Sequence, residues 1–178
     1  SNVFFLFLMG IMLSCNIIRY KMIEQIYTFF TVEMIYLWIN LGVFPFWFIL
    51  IIFPQSQISR FFVTSVFPVF ILALVYIYLL YIAYMDGYDF LQNFKLYLGL
   101  DKISDLFESQ FFLILFWVHF LALNLFCGGW IVRDSQMFGM NKFLISLPLI
   151  ITYLIGPIGI ILYWIIRIFY AKRLSLYD

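Results

Sequence analysis

Apolar residues run along this chain in blocks too long for a soluble core, separated by short polar stretches. Five hydrophobic segments stand out, at roughly 3–19, 28–53, 61–84, 111–132 and 143–168. Four of them exceed the ~18 apolar residues that indicate a membrane-spanning helix, and the first is marginal. The longest polar connection, 85–110, holds Leu100, Ile103, Leu106 and Phe107 at helical spacing among acidic residues, the pattern of a helix lying on a membrane surface. The pattern predicts an all-α integral membrane protein: a bundle of four to five transmembrane helices with an interfacial amphipathic helix. It divides into an extra amino-terminal hydrophobic segment and connector (1–27), a four-helix membrane domain (28–168) and a polar carboxyl-terminal tail (169–178).

Prolines and glycines punctuate the apolar blocks. Pro45 lies inside the second segment, Pro68 near the start of the third, and Pro148 and Pro157 within the fifth. Proline removes a backbone donor and kinks a helix, which membrane bundles tolerate when neighbours satisfy the freed carbonyl. Gly156-Pro157 should bend the fifth helix, and Gly128-Gly129 and Gly159 allow close approach of backbones. The first segment has the length of a signal-peptide core but no basic leader or small-residue cleavage pattern, so a short first span is expected. Ser1 in place of methionine is expected of a processed protein or a fragment.

Composition agrees: the chain is 66% hydrophobic and 11% charged, with mean hydropathy +1.08. Net charge is +1, and no basic block suggests nucleic acid. Cys15 and Cys127 form neither a CxxC pair nor part of a His/Cys cluster, so neither a disulfide framework nor a metal site is indicated. Phe (24) and Tyr (13) are abundant while alanine is scarce, a bias pointing to an AT-rich coding genome such as an organelle's or a protist's. With five spans, Arg19, Lys21, Lys95, Lys102, Arg167, Lys172 and Arg173 fall on one side, against Arg60, Arg133 and Lys142 on the other. That asymmetry puts the carboxyl terminus on the cytoplasm-like side.

Polar residues within the blocks are the candidate chemistry, because hydrocarbon penalises unpaired polar groups. Glu33 and Asn40, seven residues apart, share one face of the second helix about 10 Å from each other. Glu33 reads either as an interfacial carboxylate or as an interior proton-handling group. His119, the only histidine, sits on the fourth helix about 80° from Cys127 and about 140° from Asn124, so His119 and Asn124 cannot form one tight site. A lone intramembrane histidine reads first as an interhelical hydrogen-bonder and second as a catalyst. Metal binding would have to recruit Glu33 and Asp134, a poor set. No Ser-His-Asp order, phosphate-cradling loop or paired-carboxylate motif is present, which excludes soluble-enzyme chemistry. The aromatic density leaves room for a flat apolar ligand such as a polyene.

Three blocks carry a family resemblance. The first is Asn40-Leu41-Gly42-Val43-Phe44-Pro45-Phe46-Trp47 leading to Pro54. The second runs from Trp117-Val118-His119-Phe120 through Asn124-Leu125-Phe126, Gly128 and Trp130-Ile131 to Asp134. The third is Pro148, Gly156-Pro157-Ile158-Gly159 and Arg167. Together they resemble the plastid and bacterial membrane proteins related to the plant neoxanthin-synthase factor of abscisic-acid-deficient mutants. The resemblance covers about 33–168. Asn124 stands where the family usually has aspartate, and Gly129 where bacterial relatives usually have arginine. Loss of an acid and a base together is what a former interaction between them would leave.

The resemblance implies conversion of violaxanthin to neoxanthin, an epoxide-to-allene rearrangement on a membrane-dissolved carotenoid that needs an acid–base group and no redox cofactor. His119 and Glu33 would then be the catalytic candidates, with Asn40, Asn124 and Trp117 as carotenoid or packing contacts, and a carotenoid or bound lipid as the ligand. The departures from the family pattern favour a different expectation: a non-catalytic accessory subunit of a larger membrane-embedded energy-transducing complex. Its partners would be the bilayer and other membrane subunits, in an organelle inner membrane (mitochondrial or plastid/thylakoid) or a bacterial inner membrane. Carotenoid handling is the alternative. A transporter is disfavoured by the few helices and few intramembrane charges.

Overall fold

The computed structural model describes Lys21, residues 30–63 and residues 65–171; the first predicted segment, 3–19, and most of the polar tail lie outside these. Residues 1–38 and 39–178 form two compact units. The described part of the first is the start of helix α1 (Val32–Ile52), where the Thr31 hydroxyl accepts from the Met34 N–H at 3.3 Å.

Among the described residues the structure is helical, without strands. After α1 come a wide helical turn at Ser59–Val63, helix α2 (Phe67–Met85), a 3-10 helix at Phe90–Tyr97, the short α3 (Leu100–Phe107), the long α4 (Gln110–Met137), and then α5 (Lys142–Leu154) and α6 (Gly156–Ala171). Three helices, α1, α2 and α4, are long and apolar enough to cross a membrane. Pro68 sits in the first turn of α2, where its missing N–H costs nothing. Ser109 and Asn141 cap α4 and α5 by accepting from the N–H groups of Phe112 and Phe143. The predicted amphipathic helix is present as α3, with Leu106 buried and Phe107 packed edge-on against Phe112 and Phe116. Next to it Tyr88 donates to Asn93 Oδ1 at 2.9 Å, and burial, then the Asp89 charge, pushes its phenol above the usual range.

Side-chain contacts fix the register. Trp117 Nε1 donates to Asn40 Oδ1 at 3.2 Å, and Gln136 Nε2 donates to the Pro54 carbonyl at 2.6 Å, so α1 and α4 run in the same direction. Between these contacts a Cβ on Gly128 would come within 2.7 Å of the Trp47 ring, the close approach that the glycine pair suggested. Helix α2 is antiparallel to α4: Ser65 and Val66 lie beside Gly129 and Arg133, Tyr76 beside His119, and just past α2 the Tyr88 ring packs at a tilt against Phe111, centres 5.1 Å apart.

The fifth predicted segment is not one bent span. It is two short helices, of 13 and 16 residues, folded back on each other. At 1.5 Å per residue they are about 20 and 24 Å long, each less than the ~30 Å hydrocarbon core. A Cβ on Gly159 would run into the backbone of Thr152, which shows how tightly the two legs meet. Gly156 lies against Asn124 near the middle of α4, while Arg167 contacts Asp134 near its end. The hairpin therefore descends beside α4 and returns. This corrects the expected charge segregation: Arg167 lies at the same end of the bundle as Arg133 and Lys142, not the opposite one.

Candidate functional site

Two polar centres emerge at different levels along α4. The first is buried. Asp134 Oδ2 accepts from the Tyr163 hydroxyl at 2.5 Å and from Arg167 Nε at 2.8 Å, with both charged side chains under a tenth exposed. The Arg167 guanidinium also lies 5.1 Å from the ring centres of Phe138 and of Trp164. Trp130 completes the wall, edge-on to Tyr163 and stacked on Trp164. A charge in such surroundings is tolerable only when paired and bonded, and these partners supply both. The carboxylate and guanidinium are thus committed to each other, as a structural fastening of α6 to α4.

The second centre opens outward. Val69, Leu72, Ala73 and Tyr76 of α2 meet Val118, His119 and Ala122 of α4 around a cavity of about 260 Å³. Alanines at 73 and 122 leave the seam shallow, and the walls are almost wholly apolar. His119 is exposed at its edge, and among the described residues makes no hydrogen bond. No interhelical hydrogen bond among the described residues meets the expectation for it: His119 lies more than a turn below Asn124, the level on α4 that the Gly156 tip of the hairpin reaches, and about 160° around the helix from Trp117, which faces α1.

The other sequence-derived candidates separate. Asn40 and Trp117 are brought together by their hydrogen bond on the α1 side of α4. Asn124 is buried against Gly156, and its Nδ2 has no hydrogen-bond partner among the described residues. His119 and Asn124 point to different neighbours, as the helical-wheel angle requires. Glu33 is an exposed residue in the first turn of α1, within the amino-terminal unit. Gly129 faces the α2 seam while Asn124 faces α6, so the two departures from the family pattern do not look onto one another. Among the described residues no group of three His, Cys, Asp or Glu is placed to hold a metal.

Sequence reasoning missed Tyr163 and did not pair Asp134 with Arg167. The signal was present: two opposite charges at the ends of apolar segments, each in a block of the resemblance.

The pattern of the ABA DEFICIENT 4-like family matches residues 34–163, from the start of α1 to the tyrosine that bonds Asp134. That stretch is most of the chain. The chain belongs to the ABA DEFICIENT 4-like family. The match takes in Asn40, Trp117, His119, Asn124 and Asp134, and stops short of Arg167. No curated protein and no solved structure matches the chain. Membership agrees with the resemblance carried by the three sequence blocks, and the apolar helices are those of a membrane protein.

Proposed function

We propose that this ABA DEFICIENT 4-like protein handles a carotenoid in the membrane, taking an epoxy-carotenoid of the violaxanthin type into the seam between α2 and α4. The observation that carries the reading is His119, exposed at the edge of an apolar cavity that opens sideways from the bundle. A substrate dissolved in lipid arrives from the side, so a lateral opening suits it better than a closed pocket. An imidazole can both take and give a proton. The epoxide-to-allene rearrangement is an isomerisation: one proton leaves carbon, the ring carbon–oxygen bond breaks, and the oxygen gains a proton. A single shuttling group satisfies that balance without a redox cofactor. Tyr76, lining the same cavity, offers a hydroxyl to orient the ring oxygens. Asn40, Asn124 and Trp117 support this seam by positioning α4 rather than by touching the pigment.

No finding supports the accessory-subunit expectation, and family membership favours carotenoid handling over it. The reading calls for a carotenoid-containing membrane, of an organelle or a bacterium. The test is the purified protein reconstituted in vesicles loaded with violaxanthin. Wild type should retain a polyene absorption band and form neoxanthin. His119→Ala should keep the band and lose conversion, and Ala122→Trp, which fills the cavity, should lose both. Conversion unchanged in His119→Ala would remove the acid–base role, and a colourless wild type would remove the reading altogether.

A further inference from the structure

A second cavity, of about 270 Å³, lies farther along the α2/α4 seam and shares Val69 with the first. Its walls are mostly apolar, formed by Val66, Val69, Leu125 and Phe126, with Trp130 beside them, and its polar lining residues are Ser65 and Arg133. Arg133 is exposed and, among the described residues, makes no ion pair or hydrogen bond. Its neighbour in sequence, Asp134, is buried against α6 and is already held by Tyr163 and Arg167. No carboxylate lines the cavity.

Helix α4 has 28 residues. It is therefore about 42 Å long, beyond the ~30 Å hydrocarbon core, so its ends reach the headgroup layers. Arg133 lies four residues before the last residue of α4, and Trp130 one turn deeper, the levels that arginine and tryptophan favour at a membrane surface. An uncommitted guanidinium in the headgroup layer, directly above an apolar cavity, is complementary to one chemistry: an anion joined to a hydrocarbon chain. The planar guanidinium fork matches phosphate oxygens two at a time.

We propose that this cavity binds an anionic phospholipid, its phosphate on Arg133 and part of one acyl chain between α2 and α4. A lipid there closes the upper end of the seam whose lower end holds His119. The site stands on Arg133 and its cavity, and does not depend on the carotenoid reading.

The experiment uses the full chain, purified and delipidated in detergent, with phosphatidylglycerol, phosphatidylcholine or inorganic phosphate added and thermal unfolding followed. Phosphatidylglycerol should raise the midpoint more than phosphatidylcholine, and phosphate alone should not raise it. Arg133→Gln should lower phosphatidylglycerol affinity by about five- to tenfold and abolish the preference over phosphatidylcholine. Val66→Trp, at an exposed position that fills the cavity, should weaken both lipids while sparing the fold. A preference unchanged in Arg133→Gln would overturn the proposal. So would stabilisation by phosphate equal to that by phosphatidylglycerol, which would make Arg133 a site for the free anion.

Discussion

Arg167 Nε donates to Asp134 Oδ2 at 2.8 Å, across 33 residues of sequence, and joins the carboxyl-terminal part of α6 to that of α4. Removing one member of a buried pair strands the other, which costs about 3–5 kcal/mol. Arg167→Met should therefore unfold at a markedly lower temperature in detergent, and Tyr163→Phe, losing one bond to a carboxylate, should cost about 1.5–3 kcal/mol. The double variant Asp134→Leu/Arg167→Met should lose less than the two single losses added together. Additive losses would mean the two side chains do not act as a pair.

Gly159 has no room for a side chain because Thr152 occupies it, whereas nothing lies within 4 Å of a Cβ at Gly42. Gly159→Val should break the hairpin, seen as loss of folded material on size-exclusion chromatography. Gly42→Ala, in the interior of α1, should be neutral or stabilise by up to about 1 kcal/mol through helix propensity. Equal behaviour of the two variants would contradict the packing described.

The return of α6 to the Asp134 end makes a topological prediction. Single cysteines at Gln57 and Gly139 should react with a membrane-impermeant maleimide from one side of sealed vesicles, and a cysteine at Leu91 from the other. A tag after residue 178 should be digested from the Gly139 side. Digestion from the Leu91 side would restore the single bent span.

Trp117 Nε1 and Asn40 Oδ1 link α4 to α1 at 3.2 Å. Trp117→Phe keeps an aromatic ring to face Phe120 but removes this donor and part of the ring. In membranes such bonds average about 0.6 kcal/mol, with a maximum near 1.7. A small fall in the unfolding midpoint is expected, and a loss beyond that range would show that the indole has a further role.

Much of this architecture could be read from residue pattern because hydrocarbon makes long apolar runs obligatory. Helices α1, α2 and α4 match the predicted blocks, and the amphipathic spacing of Leu100, Ile103, Leu106 and Phe107 located α3. The hairpin escaped because hydropathy is the same for one crossing helix and for two half-length ones. Gly156-Pro157 announced a break, but only the contacts of Gly159 with Thr152 and of Arg167 with Asp134 decide its angle. His119 was singled out by polarity, yet polarity does not say which way a helix face turns. Exposure came from the partners of its neighbours: Trp117 turns to α1, Asn124 to α6, and His119 is left on the α2 seam. Tyr163 looked like one aromatic among many until its hydroxyl met a carboxylate.

The folded-back hairpin also bears on how the protein is made. Once α4 has been threaded through the bilayer, none of the later described residues has to be carried across it. The apolar legs α5 and α6 can sink in from the side on which they leave the ribosome's insertion machinery, and be locked when Arg167 finds Asp134. Insertion of residues 142–171 then becomes a docking event rather than a translocation.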